Sequence, residues 1–538
     1  MPAARLGVGP PWLAYTDAGM GTFVERDLTE HLGTQYPGTR SVVTLTSVAI
    51  ITVVSIFLML SCTSPELSWD EADYVTSTAK SWHFLWSGSD YNRHSHGPMA
   101  IYLAKLGEEV LPAWSGSFEA RLRFFAAVVG SIGVGFLYWI FRYCFGTSRS
   151  GALVGAGLLV FSVIRLEETN IVGPHHLMLA CTIAIIGLGY RWRDQPTVLA
   201  AVVLGAVMGF GALSMTYVIP VALCWVAALF LAGGNWIAWD RGRFKIARAI
   251  PIMVVTAVVV VAVLWPPGVW QHVVISNFRW YLHYSHTPTL VGDRVYEVTP
   301  RWAALYWLAH LDAPILAFSS LIIGVAFWKA LSESGHFSCK NVSSKHIYLS
   351  VSLSFFIVTA LTAHMAGPRN LLQFVGVLCL AAGALFDEAF GDQTRVGRLG
   401  CVAILVIAAL NLLWLPRSSS YTPSLATSGY RAFLQENHHR LGEKAKWLVA
   451  SLPALEIYAQ QSGMLLTCDI EQMAWSTLPT APLPADTKYV LMPAIVYDHM
   501  PADQPMRRVV AEHWKVVWSH KQNHTWELRL YENPATAP

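Results

Sequence analysis

The chain has 538 residues, of which 54% are hydrophobic and only 13% charged, with 22 Trp and a mean hydropathy of +0.42. That is too apolar for an ordinary soluble protein and reads as a polytopic membrane protein. A net charge of +3 is too small to imply a nucleic-acid partner, and none of the eight cysteines has the spacing of a zinc finger or a redox pair.

In chain order, residues 1–42 are a loose Gly/Pro-rich segment ahead of the first apolar run, 43–62. Leu60-Ser61-Cys62 resembles a lipoprotein cleavage site, but about forty polar residues precede the run, far more than a signal peptide's leader, so the run is read as a retained anchor. Further spans follow near 124–145, 150–166, 171–190, 197–214, 217–233, 249–266, 304–328, 347–364, 371–389 and 399–416, giving about eleven helices. With the N-terminus in the cytoplasm, five basic clusters fall inside: Arg142 and Arg149; Arg191 and Arg193; Arg241, Arg243, Lys245 and Arg248; Lys329, Lys340 and Lys345; Arg395 and Arg398. The opposite topology puts every one of them outside. The hairpin at Met215-Thr216-Tyr217 decides the parity of the count. Cys144, Cys181, Cys224, Cys379 and Cys401 lie in apolar runs as small hydrophobes, while Cys62 and Cys468 both lie outside, where one disulfide is conceivable.

Three outer segments are too long to be connectors: 63–120, 267–303 and 417–538. In the first, Val75, Ala79, Trp82 and Trp86 recur at helical spacing, as do Met99, Tyr102 or Leu103, Leu106 and Val110 behind Pro98. These patterns predict amphipathic helices lying on the membrane surface. The tail mixes a helical pattern over 428–463 with the extended runs 488–492 and 526–530, which predicts a small α/β domain. The division is thus a cytoplasmic segment 1–42, a transmembrane domain 43–416 and an extracytoplasmic α/β domain 417–538. No internal repeat is visible.

The outstanding polar feature is Trp69-Asp70-Glu71-Ala72-Asp73-Tyr74, just past the first span. A carboxylate pair there is placed to act as a base. Ser68-Trp69-Asp70-Glu71 also fits a capping box, in which Ser68 caps a helix and Glu71 reaches back. The same loop supplies Asp90, Tyr91, Arg93, His94 and His96, an accumulation of titratable groups that favours binding or catalysis. His94 and His96 could hold a divalent metal ion, although solvated loop histidines are commoner, and no other cofactor is called for.

Trp69-Asp70-Glu71-Ala72-x-Tyr74, His96-Gly97-Pro98-Met99-Ala100-Ile101-Tyr102-Leu103 and Ala120-Arg121-Leu122-Arg123, running into a glycine-containing helix with Tyr138, together resemble the GT-C membrane glycosyltransferases. The similarity is greatest to the branch holding protein O-mannosyltransferases, the lipid A aminoarabinose transferase and prokaryotic relatives with a His-Gly-Pro loop. It is specific over roughly 40–220. The resemblance implies a GT-C fold in a prokaryotic plasma (inner) membrane, with Asp70 as the catalytic base beside Glu71. It implies a donor sugar carried on a polyprenyl phosphate and a protein, lipid or glycan acceptor. His96-Gly97-Pro98 stands where several members have Lys-Pro-Pro, so neither sugar nor acceptor is named by it.

That chemistry needs a groove for the lipid tail among membrane lipids, cations for the departing phosphate and a base above it. Arg123, Arg301 and Arg369 are the candidate phosphate ligands, each set against a role as a helix-end anchor at the headgroups, with Arg121 a weaker choice. Glu167, Glu168, His175 and His176 gather around one turn, of which Glu168 and His175 are candidate substrate contacts with Tyr74, His94 and His96. In 267–303, Trp270, Trp280, Tyr281, Tyr284 and Tyr296 interleave with histidines; Tyr284 is the candidate for stacking on sugar, and an interfacial aromatic belt explains the rest equally well. A transporter of lipid-linked sugars and a noncatalytic assembly protein are the rival classes. A transporter usually shows inverted repeats, which are not evident here.

Overall fold

The computed structural model describes residues 37–62, 66–67, 69–87, 98–113, 116–167, 172–194, 197–215, 218–232, 240–265, 289–291, 294–296, 300–332, 342–362, 371–391, 394–418, 429–441, 445–472, 486–494, 510, 514–521 and 527–536. The chain divides into a first unit, 1–49, whose described part opens helix α1 (Pro37–Ser61), and a second that runs from Ile50 to Pro538.

After α1 come three short helices, α2 (Trp69–Thr78), α3 (Trp82–Ser87) and α4 (Met99–Val110). A helical series follows: α5 (Phe118–Tyr143), α6 (Arg149–Val160), α7 (Val163–Glu167), α8 (His175–Asp194), α9 (Val198–Ser214), α10 (Val218–Ala232) and α11 (Asp240–Leu264). Beyond a small antiparallel hairpin, β1 (Thr289–Val291) and β2 (Arg294–Tyr296), lie α12 (Ala303–Leu311), α13 (Ala313–Ser332), α14 (Ser344–Thr362), α15 (Leu372–Phe390) and α16 (Thr394–Ser418). Every apolar run read from the sequence holds helix. By length and composition, α1, α5, α13 and α15 can each cross a membrane; α6, α9 and parts of α10 and α11 are apolar but shorter.

Two expected single spans are broken, and the breaks explain each other. The run 304–328 divides at Asp312, which ends α12 and precedes α13. The run 150–166 divides after Phe161, between α6 and α7. The buried Asp312 carboxylate accepts from Ser162 Oγ (2.6 Å) and Val163 N–H (2.7 Å), so one interruption caps the next. Hydropathy cannot register such a break, because each half remains apolar.

Packing follows small residues. Gly155 of α6 and Gly383 of α15 approach so closely that a Cβ on either would lie 2.8 Å from the other's Cα. α15 is buried along nearly its whole length and forms the centre of the bundle. Charged loop ends meet at one end of it. Arg191 Nη1 donates to Tyr143 O (2.6 Å), Ser148 Oγ donates to Asp387 Oδ1 (2.5 Å), and Lys345 pairs with Glu388 (2.9 Å).

The first outer pattern forms two helices rather than one, since the chain turns at residues 79–81 between α2 and α3. Both dock through donors aimed at helix C-termini. Lys105 Nζ of α4 donates to Thr78 O (2.7 Å) at the end of α2, Trp86 Nε1 to Val263 O (3.0 Å), and Tyr102 Oη to Leu264 O (3.1 Å) at the end of α11.

The tail forms a five-stranded sheet in the order β4-β3-β5-β7-β6. Its elements are α17 (Tyr430–Leu441), β3 (Lys446–Val449), α18 (Leu452–Gln461), β4 (Asp469–Gln472), β5 (Thr487–Pro493), β6 (Lys515–Lys521) and β7 (Glu527–Glu532). β3 pairs in parallel with β4 and β5, whereas β7 is antiparallel to β5 and β6. The single helical pattern expected over 428–463 is thus two helices with a strand between. Trp447 and Val449 are fully buried in β3, and pairing on both edges outweighs the local helical spacing. Cys62 and Cys468 are free thiols.

Candidate active site

The site grows from the segment that leaves α1. Glu66 and Leu67 are buried, and two residues later α2 begins with Trp69 and Asp70 in its first turn. Glu71 is fully buried and meets an equally buried Arg123 from α5. The pair is bidentate: Arg123 Nε and Nη2 each donate at 2.7 Å, to Oε1 and Oε2 respectively. Val172 N–H, at the entry to α8, also donates to Glu71 Oε1 (2.6 Å), and Arg123 Nη2 donates in addition to Glu66 O (2.9 Å). Four pieces of chain therefore converge on two side chains. A buried pair of this kind adds little net stability, but loss of either partner strands a charge and costs about 3–5 kcal/mol. Its effect here is to fix where α2 starts.

These contacts involve two residues that the sequence singled out. Arg123, a candidate phosphate ligand, is committed through Nε and Nη2 to Glu71 and to the Glu66 carbonyl. Glu71, expected either as a partner in catalysis or as half of a capping box, directs both carboxylate oxygens to Arg123. The backbone of Asp70 lies in the first turn of α2, while its side chain lies outside the described residues. Tyr74 is buried one turn further along, in a cluster with Leu85, Ala100, Ile101, Leu213 and Trp265 that joins the first loop to α9 and α11. His175 is buried at the start of α8, and the neighbouring His176 ring packs on Gly130 of α5, where a Cβ would meet it at 2.9 Å. Arg301 is exposed in the turn before α12. His94, His96, Glu168, Tyr284 and Arg369 lie outside the described residues. Among the described residues no group of three His, Cys, Asp or Glu is placed to hold a metal ion.

The structure adds residues that sequence reasoning passed over. Glu119, in the first turn of α5, is fully buried and takes the Arg431 guanidinium and the Tyr458 hydroxyl (3.2 Å) on Oε1. Glu66 accepts Gly429 N–H (2.9 Å) on Oε2. Burial pushes the Glu66 carboxyl up to about 7, against the pull of Gly429 N–H and of Arg431. Burial likewise pushes the Tyr458 phenol up, which keeps it protonated and able to donate. No local signal marks these partners, because more than 300 residues separate Glu119 from Arg431 and Tyr458. Arg165 did carry a signal, a lone arginine in Val163-Ile164-Arg165-Leu166. Its guanidinium reaches Ser55, Met59 Sδ (2.9 Å) and Val160 O (3.0 Å), and among the described residues no carboxylate pairs with it.

Comparisons with known proteins bear on the fold. The family model for dolichyl-phosphate-mannose-protein mannosyltransferase matches residues 95–270. No curated protein matches the chain by sequence. Among solved structures, the chain is similar to the archaeal oligosaccharyltransferase AglB from Archaeoglobus fulgidus, in complex with an inhibitory peptide and a dolichol-phosphate. There the TM-score is 0.53 at 12% identity, over 93% of this chain and 75% of that one. ArnT from Cupriavidus metallidurans in the apo state gives 0.53 at 15% identity, over 94% of this chain and all of ArnT; its form bound to undecaprenyl phosphate gives 0.52 at 13% over the same shares. The chain shares the fold of these two proteins, the GT-C fold.

Proposed function

We propose that this chain is a membrane glycosyltransferase that moves a sugar from a polyprenyl-phosphate donor to a hydroxyl acceptor on the extracytoplasmic side, with Asp70 as general base. The observation that carries the reading is the buried Glu71–Arg123 pair, which anchors the first turn of α2 within a GT-C fold. Because Glu71 is bound up in that pair, proton abstraction falls to Asp70, its neighbour in the same turn. Asp70 takes the acceptor proton as that oxygen attacks the anomeric carbon; the bond to phosphate breaks and its electrons leave with the lipid phosphate. A positioned base contributes about 10²- to 10⁴-fold in rate. The leaving phosphate needs charge stabilisation rather than a proton, and with Arg123 engaged, Arg301 and Arg369 are the cations proposed for it. Direct displacement inverts the anomeric configuration.

Support for the donor class comes from the neighbours that carry dolichol-phosphate and undecaprenyl phosphate. The orientation rests on charge. Arg142, Arg149, Arg191, Arg193 and Lys345 lie at or beside helix ends, and the positive-inside rule applied to them supports a first loop and an α/β tail outside the inner membrane.

The test is incubation of the purified protein in vesicles with a panel of polyprenyl-phosphate sugars and candidate peptide, lipid and glycan acceptors, following released polyprenyl phosphate by mass spectrometry. Sugar transfer with release is the expected result. Movement of intact donor across the vesicle membrane without release would place the chain among transporters instead.

A further inference from the structure

The segment that enters α2 is gripped from the far end of the sequence. Leu67 N–H donates to Tyr458 Oη (2.7 Å), and the Tyr458 hydroxyl in turn donates a hydrogen bond to Glu119 Oε1 (3.2 Å), the oxygen that also takes Arg431. The Arg431 guanidinium lies over the Tyr458 ring, 4.9 Å from its centre. One residue before Leu67, the Glu66 carboxylate is held by Gly429 N–H at the mouth of α17, while its carbonyl is held by Arg123. Every one of these groups belongs either to the loop and the head of α5 or to the α/β tail.

The apolar packing obeys the same division. Leu67, Ala72 and Val75 of the loop and Leu122 of α5 share one buried cluster with Phe433, Trp447 and other tail residues. A tethered accessory domain that folds alone keeps its own core and meets its neighbour through a smaller, more polar surface. Here the polar contacts are buried and the core is common to both, so displacing the tail would expose Glu119 and Tyr458 together with Leu67 and Leu122.

From this juxtaposition we infer that the α/β tail is a built-in support of the catalytic loop, with Tyr458, Arg431 and Glu119 as positioning residues that set the start of α2 and hence of Asp70. The inference rests on the assignment of Asp70 as base. Asp70 lies three residues beyond the amide that Tyr458 holds. Misplacement of a reacting group by about 1 Å is enough to lose on the order of a hundredfold in rate. Tyr458 is the most informative member, since its hydroxyl joins the loop backbone to a carboxylate of α5 while its ring fills the shared core.

The experiment combines hydrogen exchange with kinetics on full-length Tyr458→Phe and Arg431→Lys in the same vesicles. For Tyr458→Phe, amides in peptides covering Glu66 to Ala72 should exchange about five- to tenfold faster, while those of β5 and β7 stay unchanged. With the donor and acceptor pair found active in the panel, kcat should fall at least about tenfold with KM for the donor held within about twofold. Arg431→Lys, which keeps a charge beside Glu119, should retain most of the wild-type protection and kcat. Unchanged exchange at Glu66 to Ala72 overturns the inference, and so does normal kcat alongside faster exchange. If the wild-type protein transfers no sugar from any donor, the exchange arm still decides whether the tail holds the loop, and the failure belongs to the assignment of Asp70.

Discussion

Breaking the Glu71–Arg123 pair tests the proposed architecture most directly. Glu71 has no exposed surface and, among the described residues, takes three N–H donors, two from Arg123 at 2.7 Å and one from Val172 at 2.6 Å. Arg123→Met removes two of the three and leaves a buried carboxylate without its cation. Glu71→Leu does the converse and leaves a guanidinium buried without its carboxylate. Each single change should therefore cost about 3–5 kcal/mol, chiefly as the desolvation of the abandoned charge. The double variant Glu71→Leu/Arg123→Met removes both charges at similar volume, and among the described residues the Val172 N–H and the Glu66 carbonyl lose a partner. Its loss should be smaller than the sum of the single losses by at least about 2 kcal/mol. Membrane proteins usually unfold irreversibly, so the natural measure is the rate at which each variant leaves the monodisperse state in detergent at one temperature. A coupling of that size corresponds to roughly thirtyfold between the observed rate and the additive expectation. Additive losses, or a double variant worse than both singles combined, would refute the view that these side chains are placed for each other.

Three further outcomes follow from particular contacts. Asp70→Asn should lower sugar transfer by about 10²- to 10⁴-fold with yield and thermal inactivation unchanged; turnover within threefold of wild type would remove Asp70 as the base. Gly107 of α4 lies so close to α5 that a methyl there runs into the Arg121 carbonyl oxygen, so Gly107→Ala should cost about 1–3 kcal/mol and loosen the first loop, read as faster proteolysis between α2 and α5. Burial holds Glu66 at about 7, above its ordinary 4.5, so between those values the folded protein keeps a proton that the unfolded chain has released. Its contribution is complete below about 4.5 and is lost as pH rises through about 7, on the order of 3 kcal/mol in all. Arg431 and Glu119 face the same carboxyl, and Arg123 sits on its carbonyl. Glu66→Gln should flatten the fall in thermal stability between pH 5 and pH 8, and an unchanged slope would show that another group titrates.

The resemblance carried by Trp69 to Tyr74, His96 to Leu103 and Ala120 to Arg123 led to the GT-C fold that the comparisons also give. Hydropathy located the helices because an apolar run is written into consecutive positions, and four of the described helices are long and apolar enough to cross a membrane. The strands β5 and β7 were legible for a similar reason, since a short extended run is a local property: β5 is apolar and buried almost throughout, and β7 alternates over its first half. Local signals also misled. The run from 304 to 328 is apolar throughout and still breaks at Asp312, because the carboxylate is satisfied by Ser162 and Val163, some 150 residues earlier. The helical spacing over 428–463 conceals β3, whose neighbours in the sheet are supplied by residues 469–472 and 487–491.

For the candidate site, the sequence singled out a stretch of chain but not which of its side chains are engaged with one another. Asp70 and Glu71 are adjacent and chemically alike, and nothing in their order says which one faces a guanidinium. That was decided by α5, which brings Arg123 onto Glu71 across 52 positions. The same holds for Glu119, Arg431 and Tyr458, which are unremarkable residues until α17 and α18 fold against the loop. Composition and periodicity determine which segments enter lipid and which remain in water, because burial in a bilayer acts on each segment by itself. Pairing of buried charges acts between segments distant in sequence, so only the tertiary structure could show that Glu71 is engaged with Arg123.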